Sequence, residues 1–268
     1  MKYETDAYLI TCLTNLHVGS GGANYGVIDN LVQRDPVTNM PVINSSSLKG
    51  ALREFFKDKW GKCNEKLSHI FGPDDSRISK DEIKDEKGNE CKKKSGIGHY
   101  KFFNGDLLVL PVRSNKKPFY RAMAQMLVDT INIKGEVLKC TVNLGSYQND
   151  NENLIKIKEG DNVKLEDWMS ETDITIAEND LLGYDIAIFH NNTFKKLAKK
   201  LPVIARNQLE NGESKNLWYE EVVPRESRFV FFVAKDEKYA EDFDEEFKNS
   251  VVQIGANASI GYGYVTIT

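Results

Sequence analysis

The stretch that decides the fold is PVINSSSLKGALR, residues 41–53, in which an extended arm runs into a segment that opens with three serines. Leu48 and Leu52 recur one turn apart and mark the apolar face of an amphipathic helix, which we predict over residues 46–60. An extended arm followed at once by an amphipathic helix indicates a chain that mixes strands and helices.

The same stretch predicts an anion site. The first N–H groups of a helix lack partners within the helix, the macrodipole is positive there, and serine hydroxyls add hydrogen-bonding groups. Lys49 and Arg53 stand four residues apart and share a helix face. An ordinary capped surface helix would explain Ser46 and Ser47, but not two cations so close to the positive end. Ser46, Ser47, Lys49 and Arg53 are therefore a candidate phosphate site.

Composition limits the class of protein. The chain has 268 residues, 40% hydrophobic and 28% charged, and no apolar run approaches the roughly 18 residues of a spanning helix. Its first residues carry charges where a secretory signal is apolar, so we expect a cytoplasmic protein with no membrane partner. The net charge of −4 and the pI of 5.7 count against charge-driven nucleic-acid binding. Any RNA site must therefore rest on a few well-placed cations and backbone donors.

Patterns along the rest of the chain favour an α+β fold with an antiparallel sheet, for which a ferredoxin-like core fits. Residues 73–96 are dense in charge and predict a solvated insertion. KFFNGDLLVLPVRS, residues 101–114, predicts two strands joined by a turn at Asn104-Gly105. Residues 118–132 predict a helix. Polar turn residues between two extended arms at 206–224 predict a protruding hairpin.

The glycine-rich end of the chain has two interpretations. QIGANASIGYGYVTIT, residues 253–268, carries Gly255, Gly261 and Gly263. Glycines allow a backbone to approach RNA closely, and they also allow tight hairpin turns. No strand–loop–helix follows, so the pattern is not a nucleotide-binding fingerprint.

Three segments together resemble a known family. LHVGSGGANYGVIDNLVQRDPVTNMPVINSSSLKGALR, residues 16–53, resembles the N-terminal signature of the RAMP superfamily in type III CRISPR effector complexes. Residues 204–224 and 253–265 resemble more narrowly the backbone subunit of the type III-B (Cmr) complex, its fourth Cmr subunit. The equivalent type III-A (Csm) backbone subunit has a similar N-terminal signature and stays an alternative.

The resemblance implies a fold and an activity. It implies a single RAMP domain over residues 1–268, with a ferredoxin-like (RRM-like) palm, a charged insertion at about 73–96 and a β-hairpin thumb at about 203–223. Copies would stack along a CRISPR guide RNA with other Cmr subunits, and each thumb would displace a base pair. Complementary target RNA would be cut at regular intervals by a metal-dependent endoribonuclease. The divalent cation would be Mg²⁺ or Mn²⁺, with no ligands assigned.

Asp29 is the predicted catalytic residue, because it matches the position of the family's catalytic aspartate. Its carboxylate could act as a base or hold a cation. The competing interpretation is an aspartate that caps a turn. Tyr219 and Glu220, in the predicted hairpin, are candidates for supporting cleavage or stacking on a displaced base, although alternation of this kind also suits ordinary sheet packing.

Two further residues are candidate RNA contacts. His17 ends the first predicted strand beside a glycine-rich loop and could bind phosphate or ribose, or simply hydrogen-bond a turn. Arg206 at the hairpin base could contact phosphate. Two alternative functions stay open: a structural RAMP subunit without catalysis, and a standalone nuclease that processes CRISPR precursors. Asp29 tests the first alternative, and assembly on guide RNA tests the second.

Overall fold

We describe the fold from a computed structural model, which covers residues 3–22, 26–73, 96–160, 162–176, 179, 181–248 and 250–268. The predicted insertion at 73–96 lies outside the described residues, apart from its two ends. Within the described part of the chain, no helix combines the length and apolar character that crossing a bilayer requires.

Helices and strands alternate along the described residues. The helices are α1 (Ser45–Trp60), α2 (Glu65–Phe71), α3 (Gln125–Leu138), α4 (Asn191–Ala198) and α5 (Ala240–Glu245), with a 3₁₀ turn at Ala258–Ile260. The strands are β1 (Glu4–Cys12), β2 (Val42–Ile43), β3 (Lys101–Phe102), β4 (Gly105–Arg113), β5 (Phe119–Met123), β6 (Leu154–Ile157), β7 (Lys164–Leu165), β8 (Trp168–Thr172), β9 (Ile186–Ile188), β10 (Val203–Glu210), β11 (Glu213–Glu221), β12 (Arg228–Lys235), β13 (Val251–Gln253) and β14 (Tyr264–Ile267). The helix predicted over 46–60 is confirmed.

Most strands form one large mixed sheet. Its order is β13-β14-β1-β12-β4-β5-β9-β6-β8-β7, with β2 paired to β4 and β3 paired to β12. The pairs β5–β9 and β6–β8 are parallel, and the other pairs in the sheet are antiparallel. A large mixed sheet with helices confirms the α+β class, but the two parallel pairs contradict the prediction of an antiparallel sheet.

Strand β12 is buried on both faces, because its side chains alternate between two apolar clusters. Phe229, Phe231 and Val233 belong to one cluster, and Val230 and Phe232 to the other. Helix α1 packs on the first cluster through its apolar face, and much of α3 packs on the second. Strand β12 therefore lies between the two apolar clusters, and the candidate sites described below lie near its two ends.

Two local predictions are wrong. The segment 101–114 does not form a hairpin, because β3 and β4 each pair with β12 and not with each other. The predicted helix at 118–132 begins instead as strand β5, which pairs with β4 and β9, and α3 starts only at Gln125. In both places, partners distant in sequence decide the backbone.

Strands β10 and β11 form a separate two-stranded sheet. They are joined through Asn211 and Gly212, with φ of 54° and 85°, which matches the type I′ turns of tight hairpins. Most side chains near the tip are exposed on both faces. The hairpin therefore projects from the main sheet, and its base lies where β11 leads through Val222 and Val223 toward β12.

Candidate functional site

A loop lies along the base of the hairpin and holds Asp29 against it. The backbone N–H groups of Asp29 and Asn30 both donate to the carbonyl of Tyr219, each at 3.1 Å. The N–H of Tyr219 donates back to Asp29 Oδ2 at 2.8 Å, and Glu221 N–H donates to the carbonyl of Asn30. The loop thus continues the hairpin as an irregular third strand.

Asp29 remains open to solvent in this arrangement. Its side chain is exposed, and its second carboxylate oxygen, Oδ1, has no hydrogen-bond partner among the described residues. Tyr219, beside it, is 39% exposed. The site therefore presents a positioned carboxylate with one unused oxygen next to an accessible aromatic ring, as a group that acts on a bound ligand requires.

Glu220 has the opposite environment, although it follows Tyr219 directly. It is only 6% exposed, and burial alone would raise its pKa. Hydrogen bonds from Trp218 and Arg206, with the nearby charges of His17 and Arg206, outweigh burial and lower the pKa below the ordinary value. The carboxylate accepts from Arg206 Nε at 2.9 Å, Trp218 Nε1 at 3.2 Å, Asn257 Nδ2 at 3.0 Å and Asn30 Nδ2 at 3.4 Å. Both oxygens of the Glu220 carboxylate are thus occupied by hydrogen bonds from the protein.

Arg206 also has its partners inside the protein. Besides its ion pair with Glu220, its guanidinium lies 4.4 Å from the ring centre of Tyr262. Its Nη2 is buried without a hydrogen-bond partner in the described part of the chain. The ion pair joins the two strands of the hairpin, and the cation–π contact with Tyr262 ties the hairpin to the glycine-rich end of the chain.

His17 is also held by a contact within the protein. It is 4% exposed, and its Nδ1 lies 2.7 Å from the carbonyl oxygen of Glu221. Because a carbonyl only accepts, Nδ1 carries the hydrogen. The Glu221 side chain accepts from Val32 N–H at 3.1 Å and pairs with Arg34 at 2.5 Å. His17 therefore helps to fix the hairpin base, as in the alternative interpretation of this residue.

The start of α1 is fixed by side chains from other segments. Ser45 N–H donates to Asn104 Oδ1 at 2.8 Å, and Asn44 N–H donates to Gln33 Oε1 at 2.8 Å. Ser47 Oγ accepts from Gln33 Nε2 at 2.9 Å, whereas Ser46 is exposed. The serines thus lie at the helix opening, as predicted, with Ser47 already engaged.

The predicted phosphate site divides between two surfaces. Ser46 and Ser47 line a groove of about 640 Å³, together with Gly255 and the carboxylates of Glu54 and Asp58. Lys49 and Arg53 do not line it.

The two cations instead form a basic cluster with Lys101. Burial, and then the charges of Arg53 and Lys101, lower the pKa of Lys49. Arg53 donates to the carbonyl of Gly72 at 2.8 Å. Lys49 has no ion-pair partner among the described residues. Lys49, Arg53 and Lys101 therefore form a cluster of like charges on an acidic protein, in which Lys49 has no counter-ion within the described part of the chain.

The glycines at the end of the chain are explained by contacts within the protein. Gly255 has φ of 86°, and a Cβ there would lie 2.4 Å from the carbonyl oxygen of His17. Gly263 has φ of 78°, and a Cβ there would lie 2.0 Å from the carbonyl oxygen of Ile254. Gly261 faces open space. Gly255 and Gly263 are thus required for internal packing, and the exposed backbone of Gly255 also borders the groove.

Comparison with known proteins places the chain in a family. The sequence profile described as RAMPs, the RAMP superfamily, matches residues 9–266. The chain belongs to the RAMP superfamily. The match spans every element described above from β1 to β14 and confirms the resemblance in the sequence.

RAMP relatives with curated names include endoribonucleases of CRISPR systems. The CRISPR system Cmr endoribonuclease Cmr4 of Pyrococcus furiosus is 27% identical over 296 residues, which cover 98% of this chain and 95% of the relative. The CRISPR system Cms endoribonuclease Csm3 of Enterococcus italicus is 48% identical over 72 residues, 26% of this chain and 34% of the relative.

Solved RAMP structures share the fold. A chain of the type III-B Cmr-beta complex bound to cognate target RNA, seen by cryo-EM, superimposes with a TM-score of 0.74 at 19% identity, covering 98% of this chain and 96% of that one. Oligomeric Cmr4 from Pyrococcus furiosus superimposes with a TM-score of 0.65 at 21% identity, again over 98% and 96%. These similarities establish a common architecture.

Sequence reasoning missed several residues of this RAMP site. Asn30 and Asn257 donate to Glu220, Arg34 pairs with Glu221, and Lys101 joins Lys49 and Arg53. Asn257 lies within the glycine-rich stretch of residues 253–268, so that motif did indicate the region in which this residue lies. The other three come from segments whose meeting depends on the tertiary fold.

Proposed function

We propose that the protein is a guide-RNA-binding backbone subunit of a type III-B CRISPR effector complex, and that it cuts the complementary target RNA. The full-length similarity to an endoribonuclease named Cmr4 supports this function. The observation that carries it is Asp29, exposed at the base of a projecting hairpin, with one carboxylate oxygen that no described residue contacts by a hydrogen bond.

The architecture proposed for this role is a single domain over residues 1–268 with a ferredoxin-like palm. Four strands support it: β14, β1, β12 and β4 are neighbours in this order and all antiparallel. Along the chain they read β1-α1-β4-β12-α5-β14, the βαββαβ arrangement of that fold. Phe56 of α1 stacks on Phe243 of α5 at 4.9 Å, so both helices cover one face. The hairpin β10–β11 is then the thumb.

Cleavage would proceed from the RNA's own 2′-hydroxyl. The 2′-oxygen forms a bond to phosphorus, the bond from phosphorus to the 5′-oxygen breaks, and the departing 5′-oxygen takes a proton from solvent water. The products are a 2′,3′-cyclic phosphate and a 5′-hydroxyl. Asp29 Oδ1 accepts the proton of the attacking hydroxyl. A nucleotide displaced by the thumb has the backbone freedom that in-line geometry requires, and Tyr219 offers a ring for stacking it.

A divalent cation, Mg²⁺ or Mn²⁺, fits this site only in part. Among the described residues, Asp29 is the carboxylate of the hairpin base that keeps an unused oxygen, because Glu220 and Glu221 are both engaged. Mg²⁺ in proteins is often held by one or two carboxylates with substrate phosphates and water. As an alternative to acting as the base, Asp29 Oδ1 would hold the ion together with phosphate oxygens of the RNA, and the ion would neutralise charge at the reacting phosphate.

Guide RNA is the proposed ligand of the basic cluster Lys49, Arg53 and Lys101. The groove bordered by Ser46 and Gly255 supplies a second, neighbouring contact surface, and the exposed backbone there suits a phosphate chain. The further partners are copies of the same chain, other Cmr subunits and target RNA. The predicted cytoplasmic location agrees with this role.

The test is a reconstituted complex with guide RNA and labelled complementary RNA in Mg²⁺. Wild type should give a regularly spaced ladder of products, and Asp29→Ala should bind target equally but give no ladder. Asp150→Ala, a change at another exposed aspartate, is the control. Binding without cleavage by wild type would leave a structural subunit. Cleavage of precursor RNA without assembly would favour a processing nuclease.

A further inference from the structure

A cluster of metal-ligand side chains lies away from the hairpin base. His69 is in the last turn of α2, His99 lies just before β3, and Asp236 follows the last residue of β12. Their ligand atoms all lie within 4.8 Å of one another. Among the described residues, these three form the one group of at least three potential ligands whose ligand atoms lie so close together. Asp29 does not belong to this group.

The distances suit a small ion. His69 Nε2 lies 3.0 Å from both carboxylate oxygens of Asp236, and His99 Nδ1 lies 3.2 Å from Asp236 Oδ2. Two ligands bound to Zn²⁺ at tetrahedral angles lie about 3.3 Å apart, since each is about 2.0–2.1 Å from the ion. The two His–Asp separations are therefore close to those of ligands that share one ion, and all three ligand atoms lie within 4.8 Å of one another.

The carboxylate at the centre is held by a hydrogen bond from the backbone. Lys238 N–H donates to Asp236 Oδ1 at 3.1 Å and helps to fix the orientation of the carboxylate. An anionic carboxylate with an outer partner is how ligating carboxylates are usually held.

The backbone holds the two histidines together. His99 N–H donates to the carbonyl of His69 at 2.8 Å, and the imidazole rings stack with centres 4.0 Å apart. The next residues, Ile70 and Tyr100, are buried in the main apolar cluster. The ligands are therefore carried on anchored segments, which is what a preformed metal site requires.

The site is open on one side. The side chain of His99 is 38% exposed, whereas His69 and Asp236 are mostly buried. Two imidazoles and one carboxylate are the ligand set of borderline transition metals such as Zn²⁺, and hard Mg²⁺ prefers oxygen alone. A three-ligand Zn²⁺ site normally completes its tetrahedron with water.

We propose that His69, His99 and Asp236 form a binding site for a divalent transition metal of the Zn²⁺ class, with a fourth position open to solvent. The site ties the end of α2 and the segment before β3 to the end of β12. Strand β12 has eight residues, about 26 Å of extended chain, and the hairpin base lies beyond its other end. The metal site is thus separate from Asp29 and does not depend on the proposed function.

The test is equilibrium dialysis of the metal-stripped full chain against Zn²⁺, with elemental analysis. Wild type should bind about one Zn²⁺ per chain. His69→Ala, His99→Ala and Asp236→Asn should each weaken binding by more than about tenfold, since changes to outer partners alone weaken it by about 10- to 100-fold. His190→Ala is the matched control, because His190 faces one carboxylate, Glu152, at 3.5 Å.

Two further measurements do not require variants of the three proposed ligands. Co²⁺ bound to wild type should show the visible absorption of a four-coordinate nitrogen and oxygen site without a thiolate band. Asp29→Ala should bind Zn²⁺ like wild type. The proposal is wrong if wild type binds no stoichiometric Zn²⁺, if His69→Ala and His99→Ala, both still folded, bind it unchanged, or if the Co²⁺ spectrum reports thiolate ligands.

Discussion

The two ends of strand β12 carry carboxylates of contrasting character. Beyond one end, at the hairpin base, Asp29 makes one side-chain hydrogen bond, to a backbone N–H, and is exposed. At the other end, Asp236 is enclosed by two imidazoles and a backbone N–H. The first arrangement needs phosphate oxygens to complete a cation site, and the second offers its own nitrogen ligands. This difference predicts that RNA cleavage and the proposed transition-metal site use different ions in different places.

The largest effect, on the rate of RNA cleavage, should come from Asp29→Asn, which tests the carboxylate at the hairpin base. The amide oxygen of asparagine can still accept from the Tyr219 N–H, so the loop should keep its position while the charge is lost. Cleavage should fall by about 10²- to 10⁴-fold, the range expected for removing a general base. The measurement is the single-turnover rate in the assembled complex.

Asp29→Ala, which also removes the bond to Tyr219, should be no less impaired, and Asp150→Asn should cut at the wild-type rate. Equal target binding by all these variants is the required control. Wild-type cleavage by Asp29→Asn would mean that the carboxylate only caps the loop, and both carboxylates of the comparison would then be structural.

The next largest effect is expected at the proposed metal site formed by His69, His99 and Asp236. A ligand that binds only the folded state stabilises it by about 2.7 kcal/mol at 100 times its Kd. Zn²⁺ at that level should therefore raise the melting temperature of metal-stripped wild type by several degrees, about 2–4 °C per kcal/mol for a chain of this size. His99→Ala should lose this increase, and His190→Ala should keep it.

The rate of RNA cleavage gives a second test of whether the two sites use separate ions. Stripping Zn²⁺ and restoring excess Mg²⁺ should leave the cutting rate of the complex unchanged near room temperature, because the two ends use separate ions. Loss of cleavage that only Zn²⁺ restores would break the comparison and place the transition metal in the RNA chemistry.

Glu220 should show that a carboxylate beside Asp29 can still be structural. Glu220→Gln keeps the shape but removes the charge that pairs with Arg206, and should lower the free energy of unfolding by about 1–3 kcal/mol at neutral pH. The folded pKa of Glu220 lies below its ordinary value of 4.5. Its contribution is therefore fully present above about pH 4.5 and is lost as the pH falls through the folded pKa.

Chemical denaturation at several pH values measures this effect. The difference between wild type and Glu220→Gln should shrink as the solution is acidified. The remaining folded Glu220→Gln should cut RNA within a few fold of wild type. A loss of cleavage as deep as that of Asp29→Asn, in a complex that is folded and binds target, would give Glu220 a direct part in catalysis.

Local signals in the sequence predicted α1 and the hairpin. Leu48 and Leu52 repeat at helical spacing, and polar turn residues separate the two arms of the hairpin. These two features depend on residues that are close in sequence. The family signature pointed to Asp29, whose setting against Tyr219 supports its proposed role.

The failures have physical causes elsewhere in the fold. Asn104-Gly105 looked like a turn, but Asn104 Oδ1 accepts from Ser45 N–H at the start of α1, and Gly105 leaves room for Ile43. The segment Phe119–Met123 is a strand because β4 and β9 flank it. Asp236 is far in sequence from His69 and His99, so nothing local could have indicated the cluster.

The smallest effect should come from Lys49→Met in the basic cluster. Burial and the charges of Arg53 and Lys101 already disfavour the charged form of Lys49, since they lower its pKa. Removing the charge should therefore leave the free protein at least as stable as wild type. Guide RNA should bind more weakly by about 1 kcal/mol, or about fivefold, at low salt.

Salt dependence separates this role from a general loss of charge. Binding to a single strand loses about 0.7 in its logarithmic salt slope for each phosphate contact removed, so Lys49→Met should show a slope shallower by about that amount. Lys59→Met removes the same charge from an exposed position near the end of the same helix and should change neither slope nor affinity. If the two variants behave alike, the lowered pKa of Lys49 reflects only crowding among like charges, and the guide must be bound elsewhere, with the groove beside Ser46 the next surface to test.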